Sequence, residues 1–243
     1  MANDDEYIMS CFKEFVLTRQ SIIKYYEMDA EKVNAFNRQI LSVKRNAYPN
    51  QYPDFIGELM DVEVFNVTSS AENNRKGSLF SKENDALKKR MEEALKPADN
   101  PEEYKMGTSH VEIMDYSDHS YENWLKSLKR NIVKHKESRL KYDPEGKECA
   151  FLVHYTQKVL GYKDENGVEQ WHRLGIDNRA LSIIYEELYG SIDYFILLNE
   201  MNNEAEVIPI MKIPSYVKTH ALRDDFYPRK GAGTIFIGIS DFI

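Results

Sequence analysis

The stretch "YPDFIGELMDVEVFNVTSS", residues 52–70, decides how the fold of this chain is interpreted. The segment "YPNQYPDF" at 48–55, in which this stretch begins, ends the preceding helical pattern, because proline breaks helices and favours extended backbone in the residue before it. Residues 55–68 are rich in β-branched and apolar types, which are typical of strands. The stretch therefore predicts one or two strands, with a bend at Gly57.

Acidic residues alternate along this strand. Successive side chains of a strand point to opposite faces, so Asp61, Glu63 and Phe65 are expected on one face. The other face then carries Val62, Val64, Asn66 and Thr68. Asp54 lies nine residues before Glu63, close enough for a hairpin to bring the two acids together. Carboxylates are the ligands that Mg²⁺ prefers, so Asp54, Asp61 and Glu63 form a candidate site for one divalent cation.

The rest of the chain interleaves helical and strand patterns. Apolar residues recur at helical spacing over five segments, namely residues 5–26, 30–46 with Asp29 as N-cap, 82–96, 120–141 and 177–190. Strands are expected at 109–116, 148–156, 193–200, 205–213 and 233–239, with a hairpin around Asn166-Gly167. This order predicts an α/β (α+β) fold in which helices flank a mixed central β-sheet. No domain boundary is visible, so residues 1–243 are expected to form a single domain.

In its acidic pair the sequence resembles the PD-(D/E)XK nuclease superfamily. "PDF" at 53–55 is similar to that family's Pro-Asp element, and "VEVF" at 62–65 is similar to its Glu-x-Lys strand. The resemblance implies a restriction-endonuclease-like core over residues 6–156, with a C-terminal α/β extension over 157–243. It also implies hydrolysis of DNA phosphodiester bonds with Mg²⁺ (or Mn²⁺) held by Asp54 and Glu63.

The chain departs from this family pattern at Phe65, which stands where the family has lysine. We expect the lysine to come from elsewhere, with Lys76 as the candidate, and we expect Glu14 of the first helix to join the site. A second register aligns Asn66 with the family's glutamate and predicts an inactive site. We prefer Glu63, because it keeps an acid on the strand.

A basic helix is the second functional signal. Seven lysines and arginines lie between residues 126 and 141, against the single acid Glu137. Those placed outside the apolar stripe of Leu125, Leu128, Ile132 and Leu140 include the candidate nucleic-acid contacts Lys126, Lys129, Arg130 and Lys134. They are interpreted as contacts to a phosphate backbone or, alternatively, as a solvated helix face.

Composition excludes several classes of protein. The net charge of −8 argues against a protein that coats nucleic acid non-specifically. No apolar run approaches the roughly 20 residues of a membrane helix, so no membrane association is expected. The acidic N-terminus lacks the pattern of a secretory signal, and the two cysteines form no motif, which favours a cytoplasmic protein. The histidine spacings do not indicate a zinc site.

Three functions remain open from the sequence. The first is a Mg²⁺-dependent nuclease acting on DNA. The second is a catalytically inactive protein of the same fold that binds nucleic acid or a protein partner. The third is a structural or assembly α/β protein whose aromatic surface mediates oligomerisation. The C-terminal extension carries no functional motif and either extends the sheet or forms a homodimer surface.

Overall fold

The computed structural model describes residues 2–19, 22–48, 51–69, 120–155, 159–163, 169–173, 176–199, 203–219 and 226–228. The predicted helix at 82–96, the predicted strands at 109–116 and 233–239, and the turn at Asn166-Gly167 lie outside these residues, as does Lys76. Within the described part, the structure is an α/β fold with a seven-stranded mixed sheet and helices on both faces.

The strands follow one another along the chain as β1 (Ile23–Tyr25), β2 (Lys44–Arg45), β3 (Phe55–Ile56), β4 (Met60–Asn66), β5 (Glu148–Tyr155), β6 (Val159–Lys163), β7 (Glu169–Arg173), β8 (Tyr194–Asn199), β9 (Glu204–Pro209) and β10 (Phe226–Pro228). The large sheet has the order β1-β9-β8-β5-β4-β3-β2. Strands β4, β5 and β8 at its centre are parallel, and β3 runs antiparallel to both of its neighbours. Strands β6, β7 and β10 form a separate antiparallel sheet.

One face of the large sheet is covered by α1 (Ala2–Thr18) and α2 (Ala30–Ser42). As predicted, Asp29 caps α2, and its side chain accepts a hydrogen bond of 2.9 Å from the backbone N–H of Lys32. The prediction of one helix over residues 5–26 is wrong at its end. The helix stops at Thr18, and residues 23–25 instead pair with β9 in parallel as the edge strand β1.

The opposite face is covered by α3 (Tyr121–Arg139), α4 (Asn178–Leu188) and α5 (Ile213–Thr219). Helix α3 lies in the connection between the parallel strands β4 and β5, as such connections require. The predicted strand at 205–213 ends at Pro209, and a 3₁₀ turn (Ile210–Lys212) leads into α5. Proline at that position lacks the N–H that a continuing ladder would use.

The two faces of β4 follow the predicted alternation. Phe65 packs in the core beneath α3, whereas Val62 and Val64 pack in the core beneath α1 and α2. Because every side chain from Met60 to Phe65 is buried, β4 lies at the centre of the fold and its register decides which acids face α3. None of the helices in the described ranges is long and apolar enough to cross a membrane.

Gly57 forms the tight connection between β3 and β4. An added Cβ at this position would lie 2.6 Å from the carbonyl oxygen of Met60 and 3.0 Å from Cγ1 of Val43. The first contact is with backbone, which cannot move without displacing the start of β4. Gly57→Ala is therefore expected to lower the free energy of unfolding by about 1–3 kcal/mol, measured by urea denaturation.

The control for this substitution is Leu59→Ala in the same connection. Leu59 is exposed, so its truncation is expected to change the free energy of unfolding by no more than about 0.5 kcal/mol. Equal stability of the two variants would mean that the hairpin accommodates a side chain at position 57.

Candidate functional site

The β3–β4 hairpin sets Asp54 against Glu63. Phe55 pairs with Val62, and continuing this antiparallel register by one residue brings Asp54 opposite Glu63. Residues directly opposite each other in an antiparallel pair share a face and have adjacent side chains. The two acids named from the sequence as candidate metal ligands are therefore neighbours across the hairpin.

Asp54 is held by contacts to each of its carboxyl oxygens. Its Oδ2 accepts a hydrogen bond of 2.9 Å from the backbone N–H of Val64. Its Oδ1 lies 4.0 Å from Nη1 of Arg45, at the outer limit of an ion pair. Arg45 itself is committed to Asp5 of α1, with both terminal nitrogens 3.2 Å from Oδ2 of Asp5. Arg45 is therefore shared between two carboxylates.

The surroundings of Asp54 oppose its ionisation. Burial raises the pKa of Asp54 to about 7, with the negative charge of Glu63 as the second cause and that of Asp5 adding to it. The hydrogen bond from Val64 and the charge of Arg45 act in the opposite direction. Two acids held close together with little hydration resist carrying two negative charges, and this arrangement is common at functional sites.

Glu63 has one engaged oxygen and one oxygen without a partner. Its Oε1 lies 2.7 Å from Nδ1 of His135, and because a carboxylate oxygen accepts, Nδ1 of His135 donates. Its Oε2 is buried and has no hydrogen-bond partner among the described residues. A buried acceptor without a partner costs about 1–3 kcal/mol, so the acid is placed where a donor or a cation would stabilise it.

Asp61 occupies a different environment, although it shares a strand face with Glu63. Its Oδ2 accepts a hydrogen bond of 2.9 Å from the hydroxyl of Tyr142. Its Oδ1 lies 3.5 Å from Nζ of Lys147 and 3.3 Å from the backbone nitrogen of Gly57. Asp61 is fully buried, and these donors satisfy both oxygens, which gives it a role in anchoring the hairpin.

No group of three histidine, cysteine, aspartate or glutamate side chains that could hold a metal ion is found within the ranges that the structure describes. Asp54 and Glu63 thus stand as a pair rather than as a triplet with Asp61. A pair is compatible with Mg²⁺, which is commonly bound through one or two carboxylates and completes its shell with water and substrate phosphate.

Tyr52 links the acid pair to a positive group, because the charges of Glu63 and Arg139 both act on it. The charge of Arg139 acts on both Tyr52 and Cys149, and the charge of Glu63 acts on Tyr52. Burial is the largest cause of the raised pKa of Tyr52, whose ring contacts that of Tyr142 with 5.3 Å between centroids. Arg139 donates from Nη1 to the carbonyl of Tyr142 at 2.9 Å, which fixes its guanidinium at the end of α3.

The candidate nucleic-acid contacts lie on the outer side of α3. All four are exposed, namely Lys126, Lys129, Arg130 and Lys134. Lys129 forms an ion pair of 3.3 Å with Glu187 of α4, which reduces its availability to a phosphate. Helix α3 therefore presents a basic outer side, while its inner side contacts the acid pair through His135.

The remaining candidates named from the sequence lie away from the acid pair or outside the described residues. Glu14 is exposed and lies 3.9 Å from Arg19, whereas the acid of α1 that acts on Asp54 is Asp5. Asn66 is exposed and accepts a hydrogen bond of 2.8 Å from Nδ1 of His154. Lys76 lies outside the described part of the chain.

Sequence reasoning missed His135 and Arg139, although a signal for both was present. They continue the apolar stripe of Leu128 and Ile132 at steps of three and four residues, so they face the sheet. Leu140, which the sequence pattern places in that stripe, is 65% exposed. Polar residues that replace apolar ones on the inner side of a helix mark a buried polar site.

The raised pKa of Asp54 predicts a pH-dependent stability that Asp54→Asn removes. Protonated Asp54 is favoured in the folded protein. Its contribution to the stability of the fold is therefore complete below the unfolded pKa near 3.8 and is lost as the pH rises through about 7. Asparagine stays neutral and still accepts from Val64. We expect Asp54→Asn to melt higher than the unsubstituted protein at pH 8.5, and to differ little from it at pH 4.5.

Thermal unfolding at the two pH values measures this effect, which amounts to a few kcal/mol at most. Glu14→Gln removes one exposed negative charge and serves as the matched control for the general effect of net charge. If Asp54→Asn melts at a lower temperature than the unsubstituted protein at pH 8.5, the assignment of Asp54 as an unfavourable buried charge is contradicted.

Comparisons of the chain with protein-family models, with curated proteins and with solved structures find no match in any of the three. The geometry of the acid pair and of the basic side of α3 is therefore what the assignment of a function rests on.

Proposed function

We propose that the chain is a metal-dependent nuclease that hydrolyses DNA phosphodiester bonds, with Asp54 and Glu63 as ligands of Mg²⁺ or Mn²⁺. The observation that carries the proposal is the opposition of these two acids across the β3–β4 hairpin. Each acid has one oxygen that accepts a hydrogen bond: Asp54 accepts from the backbone N–H of Val64 over 2.9 Å, and Glu63 accepts from Nδ1 of His135 over 2.7 Å. Burial and, second, the charge of Glu63 raise the pKa of Asp54, and a divalent cation would offset both effects.

The topology around the hairpin supports a restriction-endonuclease-like core. An antiparallel unit of β2, β3 and β4 is followed by the long helix α3 and then by β5, which is parallel to β4. The resemblance implies the order helix, strand, long helix, strand after the acidic strand; α3 and β5 are consistent with the last two, and the first two lie outside the described residues. Helices α1 and α2 cover the other face of the same strands.

The roles of the residues follow from their places. Asp54 and Glu63 would hold the cation, which when bound supplies charge for the scissile phosphate and a more acidic water. The guanidinium of Arg139 acts on Tyr52, as the charge of Glu63 does, and would add positive charge in this region to stabilise charge that develops on a phosphate. The exposed basic side of α3 would bind the DNA backbone at neighbouring phosphates.

A second candidate function is binding of nucleic acid without cleavage. Phe65 favours it, because this residue is buried and its ring stacks on that of His135, with 4.4 Å between centroids. An apolar side chain at this position cannot stabilise the charge that develops during hydrolysis. The two functions share the basic side of α3 and differ in metal-dependent turnover.

The nuclease proposal predicts cleavage that depends on the metal and on both acids. Unsubstituted protein is expected to cut plasmid or short fluorescent DNA with Mg²⁺ or Mn²⁺, and EDTA is expected to abolish the cutting. Asp54→Asn and Glu63→Gln are each expected to reduce the rate at least about 100-fold, since loss of a metal ligand removes the charge on which catalysis depends.

Glu14→Gln is the control for this assay, because it removes an exposed carboxylate and should leave the rate unchanged. Circular dichroism of each variant checks that the fold is retained. Folded, unsubstituted protein that binds DNA but does not cut DNA or RNA with either metal would support the second candidate and reject the first.

Both functions predict that reversing charges on α3 weakens DNA binding and its dependence on salt. The test protein carries Lys126→Glu, Arg130→Glu and Lys134→Glu. For every side chain that no longer binds a phosphate, the slope of log affinity against log salt should become shallower by about 1. Lys129 is left in place, because it pairs with Glu187.

The matched control makes the same change of charge on the opposite layer of the fold. It carries Lys32→Glu, Arg38→Glu and Lys44→Glu, all at exposed positions of α2 and β2. Equal loss of affinity and equal slopes for the two triple variants, measured by fluorescence anisotropy, would reject α3 as the contact surface.

A further inference from the structure

The side chain of His135 is confined by two phenylalanines. Its ring stacks on Phe65 with 4.4 Å between centroids and 12° between planes. Phe151 packs edge-on against both rings, at 5.4 Å from Phe65 and 6.4 Å from His135. Aromatic contacts of this kind are worth about 0.5–1.5 kcal/mol per pair, so the imidazole has one strongly preferred orientation.

That orientation fixes one end of Glu63. Nδ1 of His135 donates to Oε1 of Glu63 over 2.7 Å, and the glutamate side chain is only 10% exposed. Its other oxygen, Oε2, is buried and takes no hydrogen bond from any described residue. The position of His135 thus determines which of the two carboxylate oxygens of Glu63 accepts a hydrogen bond from the protein.

Asp54 shows the same division between its oxygens. Oδ2 accepts from the backbone of Val64 at 2.9 Å, while the one contact of Oδ1 among the described residues is the distant one of 4.0 Å to Arg45. In each acid, therefore, a firm hydrogen bond holds one oxygen and leaves the other for a further partner. A side chain supplies that bond for Glu63, so it can be removed by substitution.

We propose that His135 is a positioning residue for metal binding: supported by Phe65 and Phe151, it holds Oε1 of Glu63 so that Oε2 can bind a divalent cation together with Asp54. This inference rests on the proposed function, because it concerns the same acid pair. It also gives Phe65 a use in the position where the related nucleases carry lysine. Partners of this kind, which orient a ligand without touching the metal, typically contribute 10–100-fold to metal affinity.

Two kinds of substitution separate the hydrogen bond from the packing. His135→Phe keeps a ring on Phe65 but has no donor, and His135→Leu is a second variant without a donor. His135→Asn loses the ring, but its amide nitrogen takes the place of Nδ1 and can still donate to Glu63. If His135 acts only through packing, His135→Asn should weaken Mn²⁺ binding more than His135→Phe does. If His135 positions Glu63, His135→Phe should weaken Mn²⁺ binding more.

The measurement is the affinity for Mn²⁺ alone, obtained at fixed pH from the electron paramagnetic resonance signal of the free ion. We expect His135→Phe and His135→Leu to weaken binding about tenfold or more, and His135→Asn to stay within about threefold of the unsubstituted protein. In a Glu63→Gln background, His135→Phe is expected to cause no further loss, because its effect passes through Glu63.

Three results would overturn the inference. The first is unchanged or tighter Mn²⁺ binding by His135→Phe. The second is a loss of Mn²⁺ affinity from His135→Phe that is as large in the Glu63→Gln background as in the unsubstituted protein. The third is absence of Mn²⁺ binding by the unsubstituted protein. Failure of the proposed function looks different: Mn²⁺ then binds with the expected dependence on His135 and Glu63, but DNA is not cut.

Discussion

Two carboxylates held side by side with little access to water are the constraint around which this part of the molecule is organised. Asp54 and Glu63 repel each other, and burial prevents solvent from screening that repulsion. Three elements contribute a group that compensates: β4 a backbone N–H, α3 an imidazole, and β2 a guanidinium. Even so, burial and the charge of Glu63 raise the pKa of Asp54 to about 7, and Oε2 of Glu63 has no hydrogen-bond partner among the described residues.

Helix α3 connects the two features on which the assignment of a function depends. Its inner side carries His135 and Arg139, which continue the apolar stripe of Leu128 and Ile132. His135 contacts Glu63, and the charge of Arg139 acts on Tyr52. Its outer side carries exposed lysines and an arginine. A polyanion bound to the outer side would therefore lie one helix diameter, about 10 Å, from the acid pair. Helix α3 thus sets the distance between the basic side and the acid pair.

The sequence was most informative where local patterns decide the structure. Alternation along residues 61–68 predicted which side chains of β4 share a face, and Asp29 predicted the start of α2. Strand β1 was missed, because residues 23–25 are extended only through pairing with β9, a distant partner that no local pattern reveals. The contact between His135 and Glu63 was missed for the same reason: it joins two elements whose registers are set by the whole sheet.

The parallel pairing of β1 with β9 has a consequence for biosynthesis. Residues 23–25 emerge from the ribosome long before residues 205–207, which they need as a hydrogen-bonded neighbour. Until then, the apolar side of α1 and α2 lacks the last strands of the sheet on which it packs. Contacts so remote in sequence slow folding and prolong exposure of apolar surface. The nascent chain is therefore expected to keep this apolar surface uncovered until residues 205–207 have been translated.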